Sequence, residues 1–429
     1  MNTNPTTIVY VTREIERALG TEPNEHYYIV SNKTKYGESV QKQYPEFVIL
    51  VEPNEKGLLG TTDLLAHKDT QALISKLKDR SVSTDPQISN LQSPISLLVF
   101  KNTIRVETSA NLLNCKLLNP PATLSERVEN KLSQIRWLGS LATKYLPPHA
   151  VKVTKLITWK GENPFIIQWN HGHTGDGTML IKTFDDLRAV QEKFPERLAR
   201  LSGFVSGPSF TVNVVVTPNR ILMGNVSYQI TGMQPFTDGA FSTVGNDWSI
   251  VKKLLNADDI KSIEEMAKEI GTKLQADGWR GLFGIDLIKH EKSGRLFLIE
   301  VNARQPASST FESALQEKAR AKGARGLTTF EAHIRAVTGL PIDQDIIQID
   351  GGAQVVQRVT KHIQDIFNDV SSLLQKQGYI VVAYQNTGYN ADLLRIQSDQ
   401  GIMEDHASFN AKGHEIAEAI KSSHFNLAV

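Results

Sequence analysis

The sequence predicts a multidomain α/β chain, and three observations predict it. Short β-rich runs alternate with helical or polar stretches along its whole length. With 429 residues, 40% of them hydrophobic, the chain can bury two to four cores at roughly 100 to 200 residues per domain. A proline pair, Pro120 and Pro121, interrupts the alternation. Residues 1–118 therefore read as an α/β unit, 119–345 as a larger central unit and 346–429 as a small α+β unit.

In the first unit, TTIVYVT, HYYIVS, EFVILVE and SPISLLVF are strand-length runs, separated by stretches such as the helical TDLLAHKDTQALISKLKDR. That rhythm predicts a mainly parallel sheet. No GxGxxG occurs, so no nucleotide site of its own is expected there. After the prolines, Thr123 or Ser125 is expected to cap a helix carrying Val128, Leu132, Ile135 and Leu138 at helical spacing. The central unit continues with strands over KVTKLITW, PFIIQWN, MLIKTF, SFTVNVVVT and ILMGNVSYQI, and with helices over DDLRAVQEKF and DDIKSIEEMAKEIGTKLQADG. It closes on the strand pair GLFGIDLI and RLFLIEVN. The last unit has strands at GGAQVVQRV, YIVVAY and DLLRIQ and helices at IQDIFNDVSSLLQKQ and GHEIAEAIKS.

Charge excludes some partners. Lys plus Arg is 47 against 46 for Asp plus Glu, so no bulk field draws the chain onto nucleic acid or an anionic membrane. The apolar runs are strand-length, well short of the ~20 residues that span a bilayer, and the opening MNTNPTTIVYVT lacks a secretion signal. The single Cys115 permits neither an internal disulfide nor a multi-cysteine zinc site. A cytoplasmic protein is expected.

The stretch 278–308, GWRGLFGIDLIKHEKSGRLFLIEVNARQPAS, reads as an antiparallel hairpin turning within HEKSGR. A three-residue loop centred on Ser293 would set Asp286 opposite Glu300, and a different loop length would shift the pairing by one. Period 2 puts Glu300, Asn302 and Arg304 on one face and Ile299 and Val301 on the other. Opposed like charges destabilise a sheet, so something must compensate. A hard divalent cation does so, with Asp286, Glu300 and Asn302 as oxygen ligands. Arg304 can then reach a phosphoryl or carboxylate oxygen through its fork. An isolated Glu-x-Asn is more often a solvent-facing hairpin edge with an arginine counter-ion, and its neighbours in the sequence argue otherwise here.

Those neighbours are two. In PFIIQWNHGHTGDGT a strand enters a loop carrying Gly172, Gly175 and Gly177, with Thr174 and Thr178 as hydroxyl donors, so backbone N–H groups could close over anionic oxygens. It is not a Walker A loop, and His171 and His173 lack a third ligand at zinc spacing. In LSGFVSGPSFTVNVVV, an apolar strand follows a glycine-containing connector suited to a hinge.

In this order, the parts resemble the ATP-grasp superfamily, especially the D-alanyl-D-alanine ligase and biotin carboxylase types. The resemblance runs from about 118 to 345 and implies an N-terminal pre-ATP-grasp domain, a central ATP-grasp domain with its flap at about 150–205, and a small C-terminal α+β domain. It implies Asp286, Glu300 and Asn302 as magnesium ligands, manganese being an alternative ion, and Arg304 and Lys131 as the catalytic cations at the transferring phosphoryl group. For ATP it implies Lys131 and Gln168, the lid with Gly172, Thr174, Gly175 and Gly177, the hinge Ser202, Gly203, Phe204 and Val205, and Ser209. SGPSFTV is close to the ligases' SGPEFTV.

Two positions depart from the family. Gln168 stands where a lysine usually ends the strand before the lid, with Lys152, Lys155 or Lys182 as candidate replacements for the charge, and Ser209 stands where a glutamate usually holds the ribose.

The resemblance implies an ADP-forming ligase acting on a small-molecule carboxylate and an amine. An ATP-grasp phosphotransferase and a non-catalytic nucleotide-binding protein are the alternatives. Gln229, Thr231, Asp238 and Asp247 are candidates for the acceptor pocket, and a homodimer is a further expectation.

Overall fold

A computed structural model of the chain describes residues 6–55, 57–81, 95–170, 177–363, 368–384 and 386–425. The N-terminal runs form strands β1 (Thr7–Thr12), β2 (Tyr27–Asn32), β3 (Val48–Val51), β4 (Ile95–Val99) and β5 (Lys116–Leu117). They build a parallel five-stranded sheet in the order β3-β2-β1-β4-β5. Because helices cover both faces of such a sheet, its strands are apolar on both sides. Val9, Val11, Val30 and Leu97 pack in one core, while Ile8, Tyr10, Ile29 and Leu98 pack in another that includes Phe330 from the central region. The expected helix over 62–80 is two, Thr61–Ala66 and Lys68–Ser81, parted at His67, whose backbone is extended (φ −71°, ψ 142°).

After the prolines, Pro121 precedes helix Ala122–Glu129, and neither Thr123 nor Ser125 caps it, since both lie within its first turn. Extended Asn130 (φ −65°, ψ 125°) then breaks the expected single helix, and a second starts at Lys131 and runs to Leu138. The break sets Lys131 at a helix start facing the central sheet.

Next comes a small antiparallel sheet of β6 (His149–Val153), β7 (Phe165–Gln168), β8 (Thr178–Ile181) and β9 (Leu198–Gly203), in the order β6-β9-β7-β8. The expected strand over 152–159 is mostly not one, because the chain enters a short 3-10 turn at Thr154–Leu156, held by Thr154 Oγ1 on the Arg197 carbonyl at 2.6 Å. Helix Phe184–Lys193 backs this sheet, its start fixed by the reciprocal bonds of Thr183 and Asp186.

The main sheet follows. It contains β10 (Ser209–Val216), β11 (Ile221–Met223), β12 (Ser227–Thr231), β13 (Thr243–Asp247), β14 (Gly281–Lys289), β15 (Leu296–Asn302), β16 (Ala353–Arg358), β17 (Ile380–Ala383) and β18 (Asp392–Ser398). Its order is β15-β14-β10-β12-β13-β16-β18-β17, with β11 beside β10. ILMGNVSYQI is thus two strands, broken where the buried Glu312 carboxylate receives the Asn225 N–H at 2.6 Å. A Cβ on Gly224 would lie 2.7 Å from that carboxylate. The strands of 346–429 pair onto this same sheet through β13 and β16, so the last segment continues the central ladder. Helix Ala257–Ala276 packs Ile263, Met266, Ile270 and Leu274 into the largest core, opposite Phe283, Ile285 and Val301.

Candidate active site

A cavity of about 430 Å³ lies between the small sheet and the main sheet. Lys131, Gln168, Ser202, Gly203, Phe204, Val205, Ser209, Asp286, Glu300, Asn302 and Arg304 all line it. Of the residues expected there, Gly172, Thr174 and Gly175 lie outside the described residues, as do His171 and His173. Gly177, at φ +86°, begins the return to β8 and gives its carbonyl to the Trp169 N–H at 3.2 Å.

β14 and β15 supply the acidic end. Asp286 does face Glu300, but not through the expected turn count. Near the turn the pairing runs Leu287 to Leu298 and Lys289 to Leu296, and an irregularity between Asp286 and Leu287 then shifts the register by one. The extra residue is Ile299, which lines the cavity beside Glu300 and does not face away as alternation predicted. Val301 does face away, into the core.

The acid pair is compensated by the chain itself. Lys131 Nζ lies 2.5 Å from Glu300. Asp286 accepts from Thr211 Oγ1 at 2.5 Å, Gln229 Nε2 at 2.8 Å and Asn302 Nδ2 at 2.8 Å. Burial first, and then the Glu300 charge, push the Asp286 carboxyl above its ordinary value, against the pull of Thr211, Asn302 and Lys131. Among the described residues no three His, Cys, Asp or Glu side chains are grouped so as to hold a metal ion. A cation at this end would therefore rest on two carboxylates and the oxygen of Asn302, a donor set that fits a hard ion whose remaining ligands are phosphate and water.

Arg304 lines the cavity but shares its charge with Glu129 of helix Ala122–Glu129, and Lys101 Nζ holds the same carboxylate at 2.5 Å. Burial opposes both charges. The arginine and lysine nonetheless hold Glu129 below the usual carboxylate range, and Glu129 and Glu300 hold Arg304 above its usual value.

The opposite end is the connection between the sheets. Gly203 and Phe204 use their N–H groups on the carbonyls of Pro148 and Pro164. Val205 follows them on the cavity wall, ahead of β10.

None of Lys152, Lys155 and Lys182 lines the cavity, and Lys155 is spent on Glu196 at the surface, 2.6 Å away. The cation beside Gln168 is Arg200, its partner across the β7–β9 pair, which the sequence reading passed over. Its signal was available: alternation puts Arg200 on the same strand face as Ser202. On the acceptor side Gln229 and Thr231 line the cavity, joined by Phe241, Thr243, Asn246 and Arg358, which the sequence reading did not single out.

Asp247 does not line the cavity. It is fully buried and accepts four backbone N–H groups, from Ser249, Ile250, Ile402 and Met403, which makes it a structural anchor. Asp238 also lies off the cavity, accepting the Lys361 N–H at 2.8 Å.

No protein-family model matches the sequence, and no curated protein matches it. Solved structures do match in shape. N5-carboxyaminoimidazole synthetase from Staphylococcus aureus, complexed with ADP, is 12% identical over 98% of each chain, with a TM-score of 0.61. N5-carboxyaminoimidazole synthase from Aspergillus clavatus, in complex with ADP and 5-aminoimidazole ribonucleotide, is 13% identical over 97% of this chain and 98% of that one, with a TM-score of 0.59. Biotin carboxylase from Campylobacter jejuni is 13% identical over 92% of this chain and 87% of that one, with a TM-score of 0.61.

The chain has the ATP-grasp fold. The small sheet β6–β9 lies on one side of the cavity, and the main sheet carries the acidic hairpin on the other. No described helix is long and apolar enough to cross a membrane.

Proposed function

We propose that this chain is an ADP-forming ligase that uses ATP and magnesium to activate a small-molecule carboxylate and join it to an amine. One observation carries the reading: a single cavity runs from the 202–205 connection to the opposed pair Asp286 and Glu300, with Lys131 and Arg304 at the acidic end. The connection suits adenine, whose edge pairs with backbone, and the hairpin suits the phosphates. That several solved structures of like shape hold ADP or ATP supports the nucleotide.

Asp286, Glu300 and Asn302 would hold the magnesium, which when bound neutralises charge on the phosphate oxygens. The chain's own part is alignment, since phosphoryl transfer needs little covalent help. Lys131, paired with Glu300, is placed to follow the negative charge that gathers at the acidic end. Arg304, oriented by Glu129 through the same fork that would meet an oxyanion, fixes the incoming carboxylate. A carboxylate oxygen attacks the γ-phosphorus and ADP departs with the electrons of the broken P–O bond. An amine then attacks the acyl phosphate, loses a proton and releases phosphate. The wall of Gln229, Thr231, Thr243, Asn246 and Arg358 is the place for the acceptor. The flap at 150–205 keeps water from the acyl phosphate. We place the reaction in the cytoplasm.

ADP release, measured against pools of amino acids and other small carboxylates with and without amines, tests this. Turnover that needs both a carboxylate and an amine is expected. ADP release indifferent to every carboxylate would remove the proposal.

A further inference from the structure

Four arginines are buried among the described residues, namely Arg17, Arg200, Arg358 and Arg395. Three of them have a carboxylate within ion-pair distance: Arg17 has Glu16 at 3.5 Å, and Arg358 and Arg395 share Asp392 at 3.2 and 3.6 Å. Arg200 is the exception. It is 1% exposed and forms no ion pair with any described residue. Its polar contacts are neutral: Nε donates to Ser202 Oγ at 3.1 Å, and Nη1 reaches the Ile299 carbonyl at 3.4 Å.

A guanidinium carries five N–H donors and cannot shed its charge at neutral pH. Burying it without a counter-ion is unfavourable unless an anion arrives to meet it. Burial pulls the group below its ordinary value, and with the more distant Glu300 charge offsetting part of that it stands at about 10.

Its place says which anion. Arg200 lines the cavity two residues before Ser202, where the hinge begins, and it touches the carbonyl of Ile299, the residue preceding Glu300. It therefore stands between the end that suits adenine and the end that suits the metal, where a nucleotide would run its phosphates. Gln168, directly opposite on β7, brings no charge and bonds to Thr178 Oγ1 at 3.3 Å.

We propose that Arg200 is the phosphate-binding cation of this nucleotide site, so that the charge absent from Gln168 is supplied from the neighbouring strand. This rests on the nucleotide reading above. Directly opposed residues of an antiparallel pair share a sheet face, so a cation on either strand can serve the same phosphates. Magnesium and Lys131 cover the acidic end, while Arg200 covers the stretch nearer the hinge.

The test is titration of ADP and of adenosine, with magnesium present, into the wild type, Arg200→Gln, and the exchange variant Gln168→Arg with Arg200→Gln. Loss of a charge-assisted contact should weaken ADP about 10- to 100-fold in Arg200→Gln. Adenosine should bind all forms alike, and the exchange variant should recover most of the ADP affinity. Without nucleotide, Arg200→Gln should melt at or above the wild-type temperature, because it loses an uncompensated charge.

A wild-type protein that binds neither ligand would remove the nucleotide reading itself. If the wild type binds ADP and Arg200→Gln binds it equally well, only the role of Arg200 falls. An Arg200→Gln protein that melts well below the wild type, with no recovery of ADP binding by the exchange, would make the arginine a structural group and overturn the proposal.

Discussion

Two buried charge clusters lie close together in this fold and behave differently. In one, Glu16 accepts the Tyr384 hydroxyl at 2.6 Å, and Arg395 gives its Nε to that same oxygen at 2.9 Å and its Nη1 to Gln354 at 3.1 Å. Arg17 and Arg358 complete it around Glu14, Glu16 and Asp392. It ties the turn Ile15–Ala18 to β16 and β18, and each of its arginines has an acid at hand. The other is the cavity cluster, where two acids face each other and Arg200 has no acid among the described residues. The first gives every arginine an acid and holds parts of the fold together. The second leaves Arg200 without an acid among the described residues, and a buried cation of that kind beside opposed acids marks a candidate site.

Substitutions should separate the two. The largest effect belongs to the cavity cluster: Asp286→Asn or Glu300→Gln should lower steady-state ADP formation by on the order of 10²- to 10³-fold. Urea denaturation of the ligand-free protein should show Asp286→Asn no less stable than the wild type, because it relieves a like-charge pair, whereas Glu300→Gln also takes the acid from Lys131 and should be the less stable of the two. In the first cluster the order reverses. Arg395→Met strands Asp392 and Glu16 with one cation fewer and should cost about 3–5 kcal/mol in the same denaturation, while calorimetric ADP affinity of the folded fraction stays unchanged. Tyr384→Phe removes one hydroxyl from the first cluster and should cost about 1–3 kcal/mol, again without touching ADP affinity.

The smallest effect is in pH dependence. Asp286 is raised in the fold, so the folded protein keeps its proton when the unfolded chain has lost it. Its contribution to ligand-free stability therefore falls as pH rises from about 4 through the raised value. Glu129 is lowered, so its contribution is present above the unfolded value of about 4.3 and is lost as pH falls through the depressed one. Denaturation series across the acid range should show the advantage of Asp286→Asn over the wild type growing with pH, and the deficit of Glu129→Gln growing likewise.

Much of this was legible in the sequence, because period 2 and turn chemistry are local signals. The parallel N-terminal sheet stands where the pattern put it, and the helix expected over 258–278 is observed as Ala257–Ala276. The facing of Asp286 and Glu300 was anticipated for an incomplete reason, since the bulge at Ile299 makes up for a different turn register, and bulges leave little trace in hydrophobic alternation. Which sheet a strand joins is not a local property, so β16 to β18 read as a separate unit although they extend the main one. Asp247 looked like an acceptor ligand because an exposed acid and one buried among backbone N–H groups have the same letter. Arg200 was passed over because nothing in LARLSG shows that the apolar strand around it leaves a guanidinium without an acid.

We propose that the opposed acids Asp286 and Glu300 serve a metal that carries a nucleotide. Calorimetric titration of ATP into the wild type and into the double variant Asp286→Asn, Glu300→Gln, each with magnesium and with chelator, tests it most directly. One nucleotide per wild-type chain is predicted, bound at least about 10-fold more tightly with magnesium, and the double variant should show no difference between the two conditions. A magnesium effect of the same size in the double variant would contradict the account.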